Sequence, residues 1–145
     1  MAVILSTSMI ISTSCSKDKV KGCTDPDSKN YSSIAEEDDG SCRYEGSVVF
    51  WYNKLTSENL YDDGSDALTF YVDGNVVGST NVTQYWNSAP NCGDNASITV
   101  VKDLGKVKTQ AFSYRVIDDI GDEIWSGTVN FNANSCLKME LSYNK

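Results

Sequence analysis

Residues 67–80 read Ala67-Leu-Thr-Phe-Tyr-Val-Asp73-Gly74-Asn75-Val-Val-Gly-Ser-Thr80, and they decide the fold class. Two runs of β-branched and aromatic residues at period two flank Asp73-Gly74, a dipeptide that readily takes the positive φ values of a type I′ turn. This is the signature of a β-hairpin. The same pattern extends outward from it. From Gly46 onward, apolar residues at period two are separated by clusters of Gly, Asn and Asp. Candidate strands are 47–52, 67–72, 76–80, 97–102, 108–117, 123–131 and 137–143. No convincing amphipathic helix lies among them. The expectation is an all-β domain over residues 46–145, a seven-stranded antiparallel β-sandwich of immunoglobulin-like or transthyretin-like kind.

Alternation also nominates a core. Phe112, Tyr114 and Val116 share one strand face, and Trp125, Val129 and Phe131 should point inward from the next strand. Leu137, Met139 and Leu141 alternate with Lys138, Glu140 and Ser142, as in a strand buried on one side. The first strand is apolar on both faces, with Val49 and Trp51 opposing Val48, Phe50 and Tyr52. It reads as a central strand, or as one whose second face meets the preceding segment.

That segment, residues 22–45, has a different composition. Between Cys23 and Cys42 lie Asp25, Asp27, Glu36, Glu37, Asp38 and Asp39 against the single base Lys29, more than half of the formal net charge of −8. Closing such a loop with a disulfide holds carboxylates together against their repulsion, which a Ca²⁺ ion bound through hard oxygen ligands would relieve. Asp25, Asp27, Asn30, Asp38 and Asp39 are the natural donors. The spacing is not that of an EF-hand, because Lys29 and Asn30 stand where that loop requires an oxygen ligand and Gly. The same residues also suit a solvated capping loop, with Asp25 and Asp27 capping a turn and Asp39-Gly40 forming another.

The cysteines are Cys15, Cys23, Cys42, Cys92 and Cys136. An odd count in an exported protein leaves one unpaired. Four of them admit three pairings: Cys23 with Cys42 is the local one, and Cys92 with Cys136 would then staple distant parts of the β domain. Zinc is the competing use of four cysteines, but the sequence has neither a CxxC pair nor any His.

Three resemblances add to this reading. Gly22-Cys-Thr-Asp-Pro26, Asn30-Tyr31, Ala35, Asp38-Asp-Gly-Ser-Cys42 and Tyr44 resemble a recurrent module of Gram-negative bacterial surface proteins, often compared with thrombospondin type-3 calcium repeats. The apolar run Ala2–Ile11, followed by Ser12-Thr13-Ser14 and Cys15, resembles a bacterial lipoprotein signal. It is too short to span a bilayer, which takes about 20 residues, but fits the core of an export signal. This implies a signal peptide over residues 1–14, cleavage and acylation at Cys15, and a lipidated tether over residues 15–21. Ser16 rather than Asp follows the cysteine, which implies the outer membrane or cell surface. Lastly, Phe50-Trp51, Asn91-Cys92-Gly93, Trp125-Ser126-Gly127 and Cys136 before Leu137 look like a group of small bacterial lipoproteins of unknown activity, a likeness that supports the Cys92–Cys136 bridge.

The function expected is non-enzymatic. Without His the chain lacks the usual base for Ser or Cys nucleophiles, and no HExxH, GxGxxG, P-loop or GxSxG motif occurs. Carboxylate pairs at Asp62-Asp63 or Asp118-Asp119 with Asp122 would suit a hydrolase, yet adjacent acids beside Gly are mostly turn formers. The acidity disfavours nucleic acid. Binding of a glycan or surface-protein ligand is expected on loops, at Tyr85 and Trp86 within 81–95 and at Tyr61 within 54–66; the alternative is that these rings cover an end of the sandwich. The function classes are thus an adhesion or ligand-binding lipoprotein, a purely structural envelope component, and, more weakly, a carboxylate-based hydrolase.

Overall fold

A computed structural model describes residues 17–144. Its elements in chain order are β1 (Lys21–Gly22), β2 (Glu37–Asp38), β3 (Tyr44–Trp51), α1 (Lys54–Asp62), β4 (Ala67–Val72), β5 (Asn75–Asn81), β6 (Ile98–Gly105), β7 (Thr109–Asp118), β8 (Glu123–Asn132) and β9 (Cys136–Glu140). The fold is mostly β, and its two larger sheets have the orders β6-β3-β9 and β5-β4-β7-β8. They enclose one apolar core in a sandwich-like arrangement. Phe50 of the first sheet meets Phe70 and Tyr114 of the second at ring-centroid distances of 5.9 and 5.5 Å. Val48, Leu68, Val72, Val116 and Phe131 are fully buried beside them. Trp125 closes the far end of this core against Tyr52 and Tyr143.

The hairpin at Asp73-Gly74 forms as its sequence demands, with φ of 55° and 74° at the two turn residues. Three expectations need correction. First, the sheets are not wholly antiparallel: β9 pairs with β3 in parallel, Val48 opposite Leu137 and Phe50 opposite Met139. The reason is the route of the chain. Strand β8 runs toward the amino-terminal segment, and residues 133–135 carry it from one sheet to the other, tied by Asn134 N–H to Glu45 O and Ser47 N–H to Ser135 O. From there β9 can only leave in the direction of β3.

Second, residues 54–62 form a helix where no helix was expected. Asn53 caps it by accepting the Thr56 amide, and it ends at Asp63 before Gly64, whose φ is 96°. Its buried residues are Thr56, Ser57 and Leu60, so the buried stripe is largely polar in sequence and gives no amphipathic period. Third, Leu137 is exposed although Leu141 is buried and Met139 partly so. The alternation has the right phase, but Leu137 sits at the open end of an edge strand.

Val49 lies on the face of β3 opposite Val48 and Phe50 and is nevertheless completely buried. Its register partners Thr99 and Lys138 mark the outer face of the three-stranded sheet. Residues 82–97 are tied across that face. The Trp86 amide donates to Tyr52 O, Gly93 N–H donates to Thr99 Oγ1, Lys138 Nζ donates to Asn91 Oδ1, and Cys92 is bonded to Cys136. The first strand is therefore central in its sheet and covered on both sides, which is why both its faces are apolar.

Candidate functional site

The acidic segment folds around the Cys23–Cys42 disulfide, with β1 and β2 pairing in parallel. Strand β3 begins at Tyr44, so the segment runs into the first large sheet without a linker. Its side chains face that sheet's neighbourhood. Asp25 accepts a hydrogen bond from Tyr44 Oη at 2.7 Å and pairs with Lys108 Nζ at 2.7 Å, while Asp27 takes the same ammonium at 3.0 Å. Lys29 pairs with Glu45 at 3.1 Å, and Ser28 Oγ, itself buried, donates to Arg43 O. Lys108, which precedes β7, thus joins the acidic segment to the β domain.

The electrostatics follow from this geometry. The bonds from Lys108, then Tyr44, then the Asp27 amide pull the Asp25 carboxyl down to about 2 from the ordinary 3.8. Lys108 is shifted upward by Asp25 and Asp27, and the Tyr44 hydroxyl upward chiefly by its bond to Asp25. Asp39 is lowered by its bonds to Ser41.

These partners decide how well the five candidate calcium donors fit a cation. Asp25 and Asp27 converge on an ammonium group. Asn30 Oδ1 accepts from the Arg43 amide at 2.7 Å, and its Nδ2 donates to Ser41 O. Asp38 and Asp39 accept the amides of Gly40 and Ser41, each closing its own turn. Among the described residues, no group of three or more acids or cysteines stands close enough to hold a metal ion. A Ca²⁺ ion gathers six to eight oxygens around one point, and in this structure the five candidate side chains are each engaged by other partners.

The aromatic candidates are likewise distributed. Tyr85 and Trp86 are half-buried, Tyr85 against the core and Trp86 in the segment covering Val49. Tyr61 is 58 % exposed on α1. No ring contact joins these three among the described residues. The acid pairs serve the backbone: Asp118 is buried and accepts from Ser65 Oγ and the amides of Ile120 and Asp122, and Asp119 accepts the amides of Asp66 and Ala67. Asp62 and Asp63 end α1. Cys15 and the leader lie outside the described residues. Within those residues no helix is long and apolar enough to cross a membrane.

Two concavities stand out among the described residues. One, of about 320 Å³, lies between Asp27, Ser28, Lys29 and Glu45 of the acidic segment's junction and Ser47 and Cys136 of the three-stranded sheet. Its charges are already paired with one another or with Lys108. The second, of about 290 Å³, lies on the four-stranded sheet between Tyr71, Arg115, Ser113, Ser126 and Glu123. Register brings it together: Tyr71 is opposite Arg115, and Arg115 is opposite Ser126. Alternation alone places Tyr71 and Arg115 away from the core, but only strand order makes them neighbours. No protein-family model matches the chain, and comparison with the curated proteins and with the solved structures finds no match.

Proposed function

We propose that this chain is a cell-envelope lipoprotein. It is exported, acylated at Cys15, held at the outer membrane or cell surface, and presents a non-enzymatic adhesion or ligand-binding β-sandwich of immunoglobulin-like or transthyretin-like kind. The acidic segment acts as a spacer docked on the end of that sandwich. The observation that carries the reading is the cysteine accounting: Cys23 with Cys42 and Cys92 with Cys136 use four of five, which leaves Cys15 after the apolar leader as the odd one. Disulfides belong to oxidising compartments, and stable membrane attachment through lipid takes more than one acyl chain at about 0.8 kcal/mol per buried CH₂.

The test is membrane fractionation and intact mass of the wild type and of Cys15→Ser. An acyl adduct on the wild type and release of the variant from membranes are expected; an unmodified wild-type mass in the membrane fraction overturns the anchor. The half-burial of Tyr85 and Trp86 supports a second reading, a structural envelope component without a ligand. A glycan and protein array screen separates the two, since reproducible capture of one ligand class argues for binding.

A further inference from the structure

We infer that the concavity on the outer face of the four-stranded sheet binds an acidic sugar, its carboxylate held by Arg115. The inference rests on the ligand-binding reading above and gives it a site and a ligand class. Arg115 is exposed, and its guanidinium carbon lies 4.6 Å from the centroid of the Tyr71 ring. Among the described residues it has no carboxylate partner. It is one of two arginines in a chain of formal charge −8, where acids outnumber bases 20 to 12. A guanidinium left unpaired amid that excess, and fixed by an aromatic ring, is preorganised for a fork-to-fork bond with a carboxylate from outside.

The rest of the lining narrows the ligand. Ser113 and Ser126 present hydroxyls on either side of Arg115, and Glu123 adds a carboxylate. That carboxylate repels a bare anion such as phosphate or a polyanion, as does the net charge. It accepts hydrogen bonds from a ligand that carries hydroxyls beside its own acid group. A hexuronate meets both demands, with the acid on Arg115 and ring hydroxyls on Glu123 and the serines. The volume of about 290 Å³ is just below the roughly 300–1,000 Å³ usual for ligand sites, which suits nothing larger than a single sugar ring. The concavity beside Lys29 offers no equivalent, because its charges are satisfied internally.

The experiment is a titration of the full chain with glucuronate and galacturonate, followed by calorimetry and by amide and guanidinium NMR shifts. Glucose, acetate, inorganic phosphate and glycine serve as comparison ligands. Saturable uronate binding is expected, with shifts at the Arg115 side chain and at Ser113 and Ser126. Glucose and acetate each should bind at least about tenfold more weakly, since each lacks one half of the recognition, and so should uronate to Arg115→Lys and Arg115→Ala. Arg115 is exposed, so an unchanged amide spectrum elsewhere shows that the variants are folded; Ser126→Ala provides a milder second variant. No saturation at tens of millimolar uronate, wild-type binding by Arg115→Ala, or equal binding of phosphate or glycine overturns the site. If uronate fails while an array screen returns another ligand, the site falls and the binding reading stands; if both fail, both fall.

Discussion

Lys108 Nζ lies 2.7 Å from Asp25 Oδ2, so a base from the connection before β7 neutralises a carboxylate of the disulfide-closed segment. The same ammonium reaches Asp27 at 3.0 Å and lies 5.6 Å from the centre of the Tyr44 ring. Acids that look like metal donors in the sequence are thus partly a docking face. At Asp25 and Asp27 the repulsion among them is relieved from the β domain.

Replacing Lys108 with Met should weaken this junction, and the effect should depend on pH in a definite direction. Asp25 is held near 2 against an ordinary 3.8, so its contribution is fully present above about pH 4 and is lost as pH falls toward 2. Lys108 is shifted upward from 10.5, so its share is present at neutral pH and is lost only in strongly alkaline solution. Urea denaturation at pH 6 and pH 2.5 checks this. The wild type should lose more stability between the two than Lys108→Met, because the other lowered acids, Asp39 and Asp119, remain in both proteins. Equal losses would mean that the pair is solvated and idle.

Millimolar calcium should leave the melting temperature of the wild type unchanged. A ligand that binds only the folded form at 100 times its dissociation constant adds about 2.7 kcal/mol, which a melting curve resolves readily. A rise with calcium that magnesium does not reproduce, and that Asp38→Asn with Asp39→Asn abolishes, would show that these acids gather around an ion after all.

Cys92–Cys136 should matter more to the β domain than Cys23–Cys42. It closes a separation of 44 residues against 19, about 4 against about 3 kcal/mol in the chain-entropy account. It also pins the segment that covers Val49 and the outer face of β3. The indole Nε1 of Trp51, on that same face, is buried without a hydrogen-bond partner. In Cys92→Ser with Cys136→Ser the segment should lift, admit water to this group and red-shift the tryptophan fluorescence, with Trp86 contributing. An unshifted spectrum and unchanged stability would show that the hydrogen bonds from Trp86, Gly93 and Lys138 hold the segment unaided.

How far the sequence carries depends on whether a feature is local. The Asp73-Gly74 turn, the strand periods and the inward set Trp125, Val129 and Phe131 rest on neighbours in the chain, and they appear as read, Trp125 partly buried against the core. Helix α1 was illegible because it buries Thr56 and Ser57, residues whose type says nothing of a core. The parallel β3–β9 pair and the Tyr71–Arg115–Ser126 alignment depend on which strands become neighbours, information that no window of sequence holds. The acids of residues 22–45 were legible as a cluster, but not the partner of Asp25 and Asp27, since Lys108 lies far along the chain from both. Tyr85 and Trp86 were legible as a pair, but whether they cover or present a surface depended on the path of residues 82–97.

Two glycines mark close approaches between the sheets, of different severity. A Cβ on Gly46 would lie 2.5 Å from the backbone oxygen of Asn132, where β3 passes β8, and neither backbone can yield without disturbing its ladder. A Cβ on Gly78 would meet Ile98 Cδ1 at 3.1 Å, the end of a side chain that can rotate away. Neither glycine has a positive φ, so the contrast is one of packing alone. Gly46→Ala should therefore cost at least the roughly 1–3 kcal/mol typical of overpacking, and Gly78→Ala clearly less. Chemical denaturation of the two variants measures the difference. A Gly46→Ala protein within about 0.5 kcal/mol of wild type, the range of an ordinary surface change, would show that the two sheets separate easily at this end and that the crossing at residues 133–135 does not clamp them.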